Sequence, residues 1–290
     1  LAAALLVAPL AAANAQQIVG RDQEVFTWSG AVTRGAWFGI VIPQGDVTVS
    51  QATGNQVEVR AEKVRGARND IGFVVVRNGD DVLICAVYDD DDECSERGVR
   101  TSRRWRGTSP RLEVTIRLPA GVRVRAQTGH GDVAVTNAGS DAHASSGNGE
   151  VRVNGAAGEV TAASGNGRVT VENARGPVRA SSGNGDITVR TSVGPVTASS
   201  GNGDLFVTMD TLRGDDDMEF TTGNGRIVLT IPANFSGEID ASTGNGSVVT
   251  DFPIQVTGRI SRTRVRGTIG QGGRRVRLVS GNGSIELRRP

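Results

Sequence analysis

The sequence is short of the side chains that usually carry chemistry. Its 290 residues include two histidines, two cysteines, one tyrosine and a single lysine, Lys63, against 31 arginines. His130 and His143 have no nucleophile or acid singled out beside them, and serine recurs in every repeat, unlike a unique Ser-His-Asp constellation. Carboxylates are scattered singly apart from Asp89–Glu93 and Asp215–Asp217, whereas a polysaccharide lyase or glycosidase needs them clustered. Catalysis is therefore not expected, and no cofactor is implied.

An excess of one charge is also missing. Thirty-two basic and 31 acidic side chains nearly cancel, which argues against a dedicated nucleic-acid binder. Aromatics make up only 4%, and 40 glycines would ordinarily suggest disorder. Here the glycines are periodic and alternate with β-branched runs, so order is expected. No stretch approaches the roughly 20 apolar residues of a membrane-spanning helix, so no integral span is predicted.

The opening run Leu1–Leu10, followed by Ala13-Asn14-Ala15, reads as the apolar part and small-residue cleavage site of a secretory signal. The mature chain is expected to start near Gln16, exported to the periplasm, cell surface or medium, with no cysteine there to carry a lipid. Cys85 and Cys94 then suggest one local disulfide, the alternative being a metal or redox pair. Arginine in place of lysine, with abundant alanine and glycine, resembles a GC-rich bacterial coding bias.

What is abundant is one phrase, Ser-Gly-Asn-Gly. Its asparagines fall at Asn148, Asn166, Asn184 and Asn202, 18 residues apart, then at Asn224, Asn245 and Asn282, with His130 in the same position one period earlier. A fixed short period marks a stacked repeat. Aligned on asparagine, alternate positions form apolar columns such as Val151/Val153 after the corner. Small columns such as Ala162 and Ser164 precede it. The fold expected is all-β, a single-stranded parallel β-helix of about 18 residues per coil with two closely packed sheets and no cavity. Gly-Asn-Gly is read as the corner, with positive φ supplied by Gly and tolerated by Asn, and with the corner asparagines laddered along the stack. Consecutive coils are expected to lie directly on one another.

Three regions follow: a signal remnant (1–15), an irregular β region with a capping segment and the Cys85–Cys94 loop (16–127), and the regular solenoid (128–290). In the middle region Gly45-Asp46-Val47 and Gly54-Asn55-Gln56-Val57 look like worn copies of the repeat, and Phe26, Trp28 and Trp37 are expected to close the N-terminal end.

Five irregularities are candidate binding features. Asp89, Asp90, Asp91, Asp92 and Glu93 could gather around calcium, although the run equally suits a solvated loop. Arg100, Arg103, Arg104 and Arg106 surround Trp105 and could contact a polyanion. The longer coils hold Arg213–Asp217 and Ile231–Phe235, the kind of insertion where solenoids place recognition. Arg259, Arg262, Arg264 and Arg266 break the pattern between Asn245 and Asn282 and are the best candidates for an anionic surface.

The repeated phrase, the stretch Ile84-Cys85-Ala86-Val87-Tyr88 with Glu93-Cys94, and the closing Gly270-Gln271-Gly272-Gly273 with Ser280-Gly281-Asn282-Gly283 resemble a bacterial family. That family is described as putative adhesins, a β-strand-repeat domain of unknown function related to autotransporter-adhesin heads. The resemblance implies a right-handed β-helix on an exported protein and carries over no catalytic residues. No membrane barrel is read after the solenoid, so self-delivery is not expected. The function expected is non-enzymatic binding at the bacterial envelope, to glycan or to another surface protein. A scaffold assembling through its terminal coils is the alternative, and a carbohydrate-active enzyme the third reading. Oligomeric state is left open.

Overall fold

The computed structural model describes residues 17–66, 70–100, 110–191, 193–256 and 261–290, and contains strands and turns with no α-helix among them. One coil shows how the repeat folds. Strand Ala142–Asn148 runs to the corner at Gly149, and strand Val151–Ala156 returns on the other side. The next coil repeats this in parallel register, with Ala142 beside Val160, Asn148 beside Asn166 and Val151 beside Val169. Alternation with period two turns Val151, Val153, Val160, Ala162 and Ser164 inward, and all are buried. Alanine and serine on one sheet against valine on the other leave only a thin slot, filled as one continuous core.

The corner holds together through two side-chain ladders. Outside, each asparagine amide donates to the asparagine of the coil before it, as from Asn166 to Asn148 at 2.7 Å and Asn184 to Asn166 at 2.8 Å. His130 occupies the same rung, with Nδ1 at 3.0 Å from Asn148 Nδ2. Inside, each buried Ser or Thr hydroxyl donates to a corner glycine carbonyl of its neighbour, as Ser146 does to Gly131 at 2.7 Å and Ser182 to Gly167 at 2.9 Å. A polar column in the core is thus satisfied rung by rung.

Glycine supplies the positive φ of the corner as expected, and asparagine does not share it. Only the second of each pair has positive φ, +138° at Gly131 and +154° at Gly149, and the asparagines between them do not. The first glycine is required for closeness instead: a Cβ on Gly147 would collide with the Gly129 carbonyl oxygen. Positive-φ asparagines occur at the opposite turn, at Asn137 and Asn173.

Coil order departs from sequence order at the C-terminal end. Strands Arg275–Asn282 and Ile285–Arg288 lie between the coil Met218–Asn224/Ile227–Thr230 and the coil Gly237–Asn245/Val248–Thr250. The chain skips one rung and returns to fill it. Charge supplies a reason. In the skipped order Glu219, Arg277, Asp240 and Arg266 stand in one outward column, acid beside base. Consecutive stacking would set Glu219 against Asp240, like charges directly opposed.

The N-terminal end is woven the same way. Strand Trp37–Gln51 turns the corner itself, with Gln44 beside His130. It separates the coil at Arg123–Ala138 from an outer one made of Asp81–Val87 and Arg111–Leu118. Gly45-Asp46-Val47 is therefore a coil corner as expected. The second presumed copy is not, because Val57–Arg65 runs antiparallel to Arg111–Leu118. Antiparallel strands cover both sheets at one end, Gly72–Asn78 and Val25–Gly30, and one sheet at the other, Arg264–Ile269. Phe26 stacks on Phe73 at 4.2 Å and Trp28 on Phe38 at 5.8 Å to plug the first end. Trp37 does not join them. The residue after it, Phe38, points inward, so Trp37 lies outside against His143, 4.5 Å between ring centres.

Candidate functional site

Cys85 and Cys94 form the disulfide, which fastens the hairpin Glu93–Ser95/Gly98–Arg100 over a small second core of Val41, Val74 and Val87 on the outer sheet face. The acidic run inside this loop is spread out. Asp92 accepts the amides of Tyr88 at 2.8 Å and Asp89 at 3.1 Å, and Asp90 pairs with Arg21 at 2.8 Å. Among the described residues no three metal-ligating side chains lie together. Burial, with Asp92 close by, pushes the Tyr88 phenol up to about 12. The corner residues His130, Asn148, Asn166, Asn184, Asn202, Asn224, Asn282 and Asn245 form one exposed ladder in that order, each amide already bonded to the next rung.

Of the arginine stretch, Arg264 and Arg266 lie on the antiparallel closing strand and Arg262 in the turn before it. Arg264 approaches Asp240 at 3.8 Å, and Arg266 lines a groove with Arg275, Arg277, Glu238 and Asp240. Its basic charge is largely offset by the carboxylates of neighbouring rungs. Arg259 and the Arg103, Arg104, Trp105 and Arg106 cluster lie outside the described residues, while Arg100 ends the disulfide hairpin.

A different site gathers where the repeat is broken. The loop after Met209, the loop Pro232–Ser236 and the turn Gly270–Arg274, far apart in sequence, enclose one cleft of about 370 Å³. Its polar rim includes Asp210, Asp215 and Asn234, all exposed, and its apolar wall includes Leu212 and Pro232. The loops are tied together. Ser236 Oγ accepts the Gln271 amide at 2.8 Å and donates to the Gly272 carbonyl at 2.9 Å, and Asp217 accepts the Arg275 amide at 2.8 Å. Phe235 is buried, its ring edge-on to Phe252 at 6.4 Å.

Arg274 is the residue that sequence reasoning missed. It is only 9% exposed; Nη2 donates to the Gly214 carbonyl, and buried Nη1 has no hydrogen-bond partner among the described residues. The signal was available. Val276, Leu278 and Ser280 face inward at alternate positions, and counting back two more gives Arg274.

Neither histidine lines this cleft. His130 belongs to the corner ladder, and His143 lies beneath Trp37 with its pKa lowered, chiefly by burial and then by Arg125. The profile of Toastrack DUF4097, a domain of unknown function, matches residues 40–288. The chain belongs to the Toastrack family. Among solved structures, this Toastrack chain is similar to a putative adhesin from Bacteroides fragilis, at 13% identity and a TM-score of 0.45, over 94% of this chain and 100% of that one. It is also similar to a putative cell adhesion protein from Clostridium sporogenes, at 11% identity and a TM-score of 0.27, over 92% and 100%. No curated protein matches.

Proposed function

We propose that this Toastrack chain is an exported, non-catalytic binding module of the bacterial envelope, an adhesin-like protein that recognises a surface partner through the loop cleft around Arg274. The observation that carries this reading is convergence. Two insertions that lengthen coils and the turn before the last coil meet at one place, and solenoids put recognition in such loops. A rigid stack of hydrogen-bonded coils then serves as a mount that holds the cleft in a fixed shape.

The compartment is supported by the disulfide, a bond that persists outside the reducing cytosol, and by the apolar start of the sequence. Antiparallel strands cover both sheet edges at the first end and the Gly237–Asn245 edge at the other, leaving the three-residue strand Val248–Thr250 uncovered there, which supports a single module rather than end-to-end assembly. The cleft's two lining aspartates, Asp210 and Asp215, are both exposed, which supports a role as hydrogen-bond acceptors at a binding rim.

Fluorescently labelled chain applied to bacterial cells tests the proposal. Saturable labelling that falls with Asn234→Ala is expected, together with reduced attachment of a deletion strain. Unlabelled cells and normal attachment would reject it, and concentration-dependent filaments in sedimentation would favour the scaffold.

A further inference from the structure

We propose that the Arg274 cleft takes a neutral sugar ring, whose adjacent hydroxyls donate to the rim carboxylates of Asp210 or Asp215 and accept from Arg274 and Asn234. The inference rests on the reading of this cleft as the recognition site and adds the chemistry of its ligand.

The first argument is the guanidinium. Arg274 is nine-tenths buried, with Nη1 lacking a hydrogen-bond partner among the described residues, and it forms part of the cleft wall. Nη1 itself has under 1 Å² of accessible surface, so it meets an occupant's oxygen when the side chain turns toward the cleft, a turn favoured because a buried N–H left without an acceptor is costly. The second is the sign of the rim. Asp210 and Asp215 stand on it, with Asp216 and Asp217 in the same loop, and these four acids outnumber Arg213 of that loop and Arg274 of the wall, so a carboxylate, sulfate or phosphate ligand would meet net repulsion. A hydroxyl is the group that suits both: it donates to a carboxylate while accepting from a guanidinium or amide. Asn234 contributes an acceptor and donors on one exposed side chain.

The remaining features fit a ring. Leu212 and Pro232 supply an apolar wall for its C–H face, and about 370 Å³ lies at the small end of ligand-site volumes. The loops are also held in place. Ser236 is bonded to the Gln271 amide and the Gly272 carbonyl, and Asp217 to the Arg275 amide, so little ordering remains to be done when a ligand arrives. A peptide would use an unpaired strand edge, which these turns do not present.

Saturation-transfer NMR on the full chain tests this, with glucose, galactose, mannose, N-acetylglucosamine and glucuronate as probes. At least one neutral sugar is expected to receive saturation, and to bind about tenfold more weakly to Asn234→Ala and to Asp215→Ala, each of which removes a hydrogen bond. Arg152→Ala, on the mid-stack surface, should leave binding unchanged. Asn234 and Asp215 are exposed, so these variants read the site without the folding risk of replacing buried Arg274. Glucuronate binding above every neutral sugar would overturn the neutral class. Silence from all five probes, with cell labelling that still depends on Asn234, would overturn the sugar and leave a protein partner at the same site. Silence with unlabelled cells would bring down the recognition reading as well.

Discussion

Asn282 donates its side-chain amide to Asn224 at 2.7 Å although 58 residues separate them in the chain. Asn245, which comes between them in sequence, bonds to Asn282 from the far side at 2.7 Å. The inner ladder repeats the order, with Ser280 donating to Gly225 at 2.8 Å and Thr243 to Gly283 at 2.7 Å. The coil at the end of the chain is thus clamped on both faces by coils made earlier, and the stack cannot fray by peeling off its last segment. The strand Trp37–Gln51 is held in the same manner at the other end.

Charge order is expected to support this insertion. Arg277 lies 3.3 Å from Glu219 and directly across from Asp240 on its other side. Arg277→Glu would place three acids in a row. These side chains are about half exposed, so the loss should be about 1 kcal/mol, measured as a lower urea midpoint with unchanged slope. Adding Glu219→Arg should recover part of it and no more, since Asp240 would still face the acid introduced between the two rungs. A stability unaffected by the reversal would remove electrostatics as the reason for the skipped rung.

Corner glycines should be far less replaceable than loop glycines. At Gly167 the φ of +156° and the carbonyl of Gly149 both exclude a Cβ, and the carbonyl is backbone of the preceding coil, unable to move without breaking the ladder. Gly167→Ala should cost roughly 2–4 kcal/mol, combining backbone strain with overpacking. Gly54→Ala, at a position with open space around it, should be close to neutral. Thermal unfolding of the pair side by side decides the point.

These particulars explain what was legible in the sequence. The regular coils were, because an 18-residue period and a two-residue alternation fix register, inward face and ladder together: Val151 and Ser164 could not be inward unless Asn148 and Asn166 were neighbours. The skipped rung was not, since Asn282 carries the same phrase as Asn245, and a repeat that matches every rung does not say which rung it occupies. Nor was the antiparallel course of Val57–Arg65, whose alternation is the same in either direction. Arg274 was overlooked for a related reason: its inward parity was visible, but an arginine after two glycines reads first as a solvated turn.

The pH dependence of the outer cluster follows from His143. Burial, followed by Arg125, holds its pKa below the ordinary 6.5, so the folded chain binds fewer protons there than the unfolded chain between those two values. Stability from this site is therefore complete above pH 6.5, declines as pH falls below 6.5, and levels off under the folded pKa. An NMR titration of the His143 ring should give a midpoint below 6.5, and His143→Gln should flatten that part of the stability profile. A midpoint at or above 6.5 would contradict the burial beneath Trp37.

Reduction of the disulfide should loosen one surface element and spare the rod. The Cys85–Cys94 bond closes a loop with a sequence separation of 9 and pins the hairpin Glu93–Arg100 over Val41, Val74 and Val87, outside the main core. A loop of this size contributes roughly 2–3 kcal/mol to the oxidised state. The loss should be local, because coils from Val133 onward pair only with their own neighbours and share no strand with the hairpin. Hydrogen exchange on Cys85→Ser/Cys94→Ser should therefore show faster exchange across 93–100 and in strand Asp81–Val87, whose Cys85 anchors the hairpin. The amides of Ala142–Asn202 should keep their protection. Uniformly faster exchange along the coils would mean that the hairpin and the stack unfold as one unit, and that the solenoid draws its stability from this end.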